Sequence, residues 1–79
     1  MRVEHGLRSG VDMKAEDFSS GDVVLYIPGH AYGDAGHKDC QRGIVSSQNG
    51  VNVFVRYYRG GALQYTGQAT RPDDLIMST

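Results

Sequence analysis

From Gly21 onward, apolar and polar residues alternate with a period of two, the repeat of a half-buried β-strand. The run "DVVLYI" is rich in β-branched and aromatic side chains, ends at Pro28, and sets Val23, Leu25 and Ile27 on one face of a first strand. After a long polar loop comes "RGIVSSQNGVNVFVRYY", in which Asn49-Gly50 predicts a tight two-residue hairpin, because both positions tolerate positive φ. In its second arm Val51, Val53, Val55 and Tyr57 alternate with Asn52, Phe54, Arg56 and Tyr58, which assigns the valines to the core. Gly60-Gly61 supplies another turn, and "ALQYTGQAT" alternates Leu63, Tyr65, Gly67 and Ala69 with polar neighbours as a half-buried fourth strand. In "RPDDLI", Pro72 has no N–H for a ladder and Asp73-Asp74 suit a single helical turn, after which Leu75 and Ile76 return to the core. No segment carries the ten or more residues of 3.6-residue periodicity that a helix needs. Short strands with tight turns and exposed edges point to a small barrel.

The first twenty residues, "MRVEHGLRSGVDMKAEDFSS", lack either period and read as a loose extension, with residues 1–12 adding little to the fold and Met13 opening a second possible start. Phe18 is the exception: an aromatic just ahead of the first strand folds back over an open end of the sheet, and its burial is worth about 2 kcal/mol. A chain of 79 residues is a single domain with barely enough mass to enclose a core. Eight basic and nine acidic residues leave a formal net charge of −1, without the strong basic footprint of a protein that coats DNA. One cysteine rules out an internal disulfide framework and fits a reducing, cytoplasmic setting. No apolar run approaches the roughly twenty residues that cross a bilayer as a helix, so no membrane association is expected, and "MRVEHGLRSG" lacks the apolar middle of a signal peptide.

Two resemblances follow from these runs. "GDVVLY", a long polar loop, "GIVSS", Asn-Gly, "VNVFVRY" and "RPDDL" resemble, over residues 21–76, the strand order of SH3-like barrels of the KOW and Tudor type. Gly21-Asp22, Gly43 and Pro72-Asp73-Asp74-Leu75 stand where that pattern opens its first strand, precedes its second and leads into its last. The implied fold is all-β: a small SH3-like barrel of about five short antiparallel strands at residues 21–79, with a loosely ordered N-terminal extension at 1–20. Tyr26, Pro28, His30, Ala31, Gly33, Asp34, His37, Asp39, Cys40, Gly43, Val45, Ser46 and Ser47 are also similar to a run shared by small proteins encoded by phages and prophages. Neither resemblance carries an activity, because a fold of this kind hosts many functions.

The loop "PGHAYGDAGHKDC", with Gln41 after it, joins the first and second strands, where such barrels carry their longest loop. His30, His37 and Cys40, with Asp34 or Asp39 to complete a tetrahedral set, are ligand types suited to Zn²⁺, although structural zinc sites usually draw on two spaced pairs of soft ligands. A Cys40 nucleophile activated by His30 or His37 is a second reading, without a hydrolase signature around it. In the third, the glycines turn the loop, aspartates cap backbone N–H groups and Cys40 packs as a small apolar residue. On the later strands, Tyr58 stands with Arg56 opposite the valines, Arg59 adjoins at the turn, and Arg42 lies on the second strand, a combination that stacks bases and neutralises phosphates. The sequence therefore predicts a non-enzymatic binding module that contacts nucleic acid or nucleotide through His30, Tyr32, His37, Arg42, Arg56, Tyr58 and Arg59. The alternatives are a phage accessory protein that binds a host protein, with Tyr32 among its contacts, and a zinc loop. A second copy of the chain, forming a homodimer, would cover an open strand edge.

Overall fold

The computed structural model describes residues 13–78, and the expectation for residues 1–12 lies outside them. Six strands form: β1 Val23–Tyr26, β2 Gln41–Gln48, β3 Val53–Arg59, β4 Ala62–Leu63, β5 Gln68–Thr70 and β6 Leu75–Met77. Every pairing is antiparallel, in one sheet of order β4-β3-β2-β1-β6, with β5 sharing with β4 the edge of β3 that faces away from β2. The all-β expectation therefore holds. The sheet is nevertheless open: among the described residues no ladder joins β5 to β6, and these strands are linked only by a one-turn 3-10 helix, Pro72–Asp74. Proline at the start of that turn removes a donor, and the chain leaves β5 through the 3-10 turn to pair β6 with β1.

Residues opposed across a ladder share a face of the sheet, so the register defines the core. Val24 lies opposite Gly43 and Met77, Gly43 opposite Tyr57, and Val45 opposite Val55. Val24, Val45, Val53, Val55, Tyr57 and Leu75 are buried together, with Tyr26 packed against them. The core face of β1 is thus Val24 and Tyr26, one residue out of phase with the Val23, Leu25 and Ile27 stripe, all three of which are half-buried on the other side. β1 is apolar on both faces, so its alternation carries no phase, and the Gly43 pairing sets it instead.

Three further expectations are corrected. The loop at Asn49-Gly50 spans four residues, because Gln48 pairs with Val53. Gly50 takes φ +87°, while Asn49 keeps a negative φ and its side-chain Oδ1 accepts the N–H groups of Val51 (2.9 Å) and Asn52 (2.8 Å). That side chain replaces the two-residue turn, and it carries Val51 out of the strand to 71% exposure. The two-residue hairpin with positive φ at both positions occurs instead at Gly60 (+58°) and Gly61 (+83°), between the paired Arg59 and Ala62. The strand read over residues 62–70 is divided into β4 and β5, because Arg56 Nε donates to the Gln64 carbonyl at 2.9 Å and the chain bends out with Tyr65 exposed. Of that segment it is Thr70 that is buried, while Ala69 is exposed.

Part of the presumed extension belongs to the core. Met13, Ala15 and Phe18 are buried in the same cluster as the valines, around a 3-10 turn, Ala15–Asp17, whose Asp17 carboxylate accepts the Lys14 N–H at 2.8 Å. Gly21, at φ +96°, then turns the chain into β1 and donates its N–H to the Val45 carbonyl at 2.8 Å. No helix among the described residues is long and apolar enough to cross a membrane.

One buried polar pair crosses the open end of the sheet. Tyr57 Oη and Thr70 Oγ1 are 2.7 Å apart, and Thr70 also donates to the Gln68 carbonyl at 3.2 Å. Burial pushes the Tyr57 phenol above its ordinary 10.0, against the opposing pull of the Thr70 hydrogen bond. The unfolded chain therefore ionises this phenol first, so stability is intact below about pH 10 and declines as the pH rises beyond it. A plot of thermal midpoint against pH through that window is expected to fall more steeply for the native chain than for Tyr57→Phe. Parallel curves would remove Tyr57 as the cause.

Candidate functional site

The β1–β2 loop is built from a series of reverse turns. A 3-10 turn, Gly29–Ala31, follows Pro28, and Tyr32 ends it in the left-handed region at φ 52° with its side chain 94% exposed. Three i→i+3 backbone hydrogen bonds come next, from Asp34 N–H to Ala31 O, His37 N–H to Asp34 O and Cys40 N–H to His37 O, each between 3.0 and 3.1 Å. This winding folds the end of the loop back over its beginning. His30 Nε2 lies 2.7 Å from Asp39 Oδ2, the His37 Nδ1 accepts the Asp39 N–H at 3.0 Å, and the two imidazoles meet edge to face with centroids 5.3 Å apart.

The predicted ligand set is redistributed by these contacts. Asp34 accepts the Gly36 N–H at 2.9 Å through Oδ1, and the Cys40 thiol donates to the Asp34 carbonyl at 3.3 Å, so both serve the backbone of the loop. The residues whose ligand atoms converge are His30, His37 and Asp39, all within 4.8 Å of one another. No hydrogen bond joins Cys40 to either imidazole among the described residues, so the geometry of an activated thiol is not assembled here.

The arginines and Tyr58 occupy a second location, on the outer face of the sheet. Arg42 is opposed to Leu25, Arg56 to Ile44 and Tyr58 to Leu63. Arg42 and Tyr58, with Val23 and Gly61, line a shallow concavity of about 410 Å³, and Arg59 stands exposed at the mouth of the adjoining turn. Arg56 is half-buried and tied to the Gln64 carbonyl, which makes it a brace for the β3–β4 hairpin as well as a charge. No hydrogen bond, ion pair or ring contact among the described residues links His30, Tyr32 or His37 to this face. The seven predicted contact residues thus form two groups.

Two features escaped the sequence reading. Tyr26 and Tyr57, edge to face at 6.0 Å, line with Gln41, Thr70, Arg71 and Asp74 a pocket of about 300 Å³ at the open end of the sheet. Strand periodicity gives no warning of it, because it depends on β5 and β6 diverging to different partners. The charge distribution, by contrast, is written in the chain. Residues 40–72 contain Arg42, Arg56, Arg59 and Arg71 and no aspartate or glutamate, while all nine acidic residues and the other four basic ones lie outside. A near-zero net charge hides this segregation, and counting charge by segment uncovers it.

Fold and sites together define a small all-β chain with a basic, tyrosine-bearing sheet face and a separate histidine-aspartate loop. Comparison with protein-family models, with curated proteins and with solved structures finds no match to it.

Proposed function

We propose that this chain is a non-enzymatic binding module that contacts single-stranded nucleic acid or nucleotide through the outer face of β2, β3 and β4. The observation that carries the reading is the placement of Arg42 and Tyr58 around one concavity, with Arg59 exposed at the adjoining β3–β4 turn and no acidic residue between positions 40 and 72. A guanidinium offers paired donors to phosphate, and a tyrosine ring on a rigid strand stacks on a base. The sheet supplies the rigidity: Tyr58 is held by its Leu63 pairing, and the Arg56 brace fixes the hairpin that presents it. The resemblance to phage-encoded proteins and the single cysteine support a phage-type module working in the bacterial cytoplasm.

Fluorescence anisotropy with a short labelled single-stranded oligonucleotide, at about 50 and about 200 mM salt, tests this. Affinity is expected to fall with salt at a logarithmic slope of about −2, as roughly three phosphate contacts predict for a single strand. Arg42→Ala and Arg59→Ala should each shrink that slope by about 0.7, and Tyr58→Ala should weaken binding by about 1–3 kcal/mol with the slope unchanged. Absent or salt-independent binding would overturn the proposal.

A further inference from the structure

The geometry points to a second, independent site: a divalent transition-metal site of the Zn²⁺ type formed by His30, His37 and Asp39, in which the ion pins the two ends of the β1–β2 loop together. His30 lies in the first turn after β1 and Asp39 two residues before β2, so an ion shared between them closes the loop at its neck. Three candidate ligand atoms already lie within 4.8 Å of one another, with His30 Nε2 at 2.7 Å and His37 Nδ1 at 3.9 Å from the same Asp39 oxygen. Zinc ligands at 2.0–2.2 Å from the ion stand about 3.3 Å apart. The His30–Asp39 contact therefore opens by about 0.6 Å, and the remaining separations shorten, through side-chain rotation in an exposed loop. His30 coordinates through the nitrogen that now meets the carboxylate, its proton moving to the other ring position. His37 exchanges a hydrogen bond for the metal or turns its ring to present the other nitrogen.

The donor chemistry selects the ion. Two imidazole nitrogens and one carboxylate oxygen suit Zn²⁺, Co²⁺, Ni²⁺ or Cu²⁺, whereas Ca²⁺ and Mg²⁺ favour all-oxygen shells. The side chains of His30 and Asp39 are 61% and 48% exposed, so an ion reaches them without disturbing the core and keeps water in its remaining positions. This ligand set differs from the one expected from sequence, because the Cys40 thiol and the Asp34 carboxylate are committed to the loop backbone.

The test is calorimetric titration of the full chain with Zn²⁺ in a non-chelating buffer, with the absorption spectrum of the Co²⁺ form as a second readout. One ion per chain with micromolar affinity is expected, together with a thermal midpoint raised by Zn²⁺. His30→Ala, His37→Ala and Asp39→Asn should each weaken binding about tenfold or more and abolish the Zn²⁺-dependent stabilisation, while Cys40→Ser and Asp34→Asn retain both. All five positions are on an exposed loop, and matching thermal midpoints without metal establish that each variant is folded. Affinity of millimolar or weaker, or binding that survives the first three substitutions, would falsify the site. Loss of binding in Cys40→Ser would transfer it to the thiol and overturn this ligand set. Oligonucleotide binding by Arg42 and Arg59 is read separately, so either proposal stands or falls without the other.

Discussion

Gly43→Ala is expected to destabilise the protein by about 3 kcal/mol, with the loss read as a lowered urea midpoint at unchanged slope. Gly43 is the centre of the fold, pairing with Val24 on β1 and with Tyr57 on β3. A Cβ at this position would stand 2.5 Å from Val55 Cγ1, 2.8 Å from the Arg56 carbonyl oxygen and 3.0 Å from Tyr57 Cδ1. The two side chains can yield by rotation, at the cost of the Tyr26–Tyr57 ring contact and the Tyr57–Thr70 hydrogen bond. The carbonyl oxygen cannot, because it belongs to the backbone of β3 and moves only with the β2–β3 ladder. A domain of this size is stable by about 5 kcal/mol, so most of its margin is removed. Gly29→Ala is the control: nothing lies within 4 Å of a Cβ there, and stability should change by less than about 0.5 kcal/mol. Equal midpoints for the two variants would contradict the β1–β2–β3 register.

Phe18→Ala is expected to cost about 4 kcal/mol, the value for losing a buried phenyl group and leaving its cavity. The residue is 2% exposed and contacts a core otherwise made mainly of valines, which are too short to fill the gap from the opposite face. It reaches that core from outside the sheet, through the turn at residues 15–17 and the Gly21–Val45 hydrogen bond. Tyr65→Ala, at a ring 93% exposed, removes more atoms and should change stability by less than about 0.5 kcal/mol. A loss below about 1 kcal/mol for Phe18→Ala would show that residues 13–18 do not complete the core in solution.

How far the fold was legible in the chain depends on where the physics is local. β2 and β3 were legible because Val45, Val53, Val55 and Tyr57 alternate with residues of different character, and the docking of Phe18 was legible because no other aromatic precedes the first strand. The inner face of β1 was not, since every residue from Val23 to Ile27 is apolar and only pairing to Gly43 selects between the two phases. Turns form at the places the chain marks, but the two-residue form expected at Asn49-Gly50 is found at Gly60-Gly61. Asn49 satisfied neighbouring N–H groups with its side chain and never entered the left-handed region, while Gly60-Gly61 took the tight form. The openness of the sheet and the choice of Asp39 over Asp34 as partner of the histidines depend on how segments meet in space, for which no residue spacing is diagnostic. The basic face is visible as individual arginines, but its lack of opposing charge disappears from a net charge summed over the whole chain.

The serial turns of the β1–β2 loop carry a consequence for how such a protein changes over generations. Their closing hydrogen bonds run between backbone atoms, from Ala31 to Asp34, to His37 and to Cys40, so the path of the loop is largely independent of what its outward side chains are. Ala35 and Lys38 are exposed at positions that this scaffold does not consult. A lineage can therefore rewrite the surface at these positions without renegotiating the fold. The same property makes the loop a natural cassette for grafting new specificities onto a chain of 79 residues.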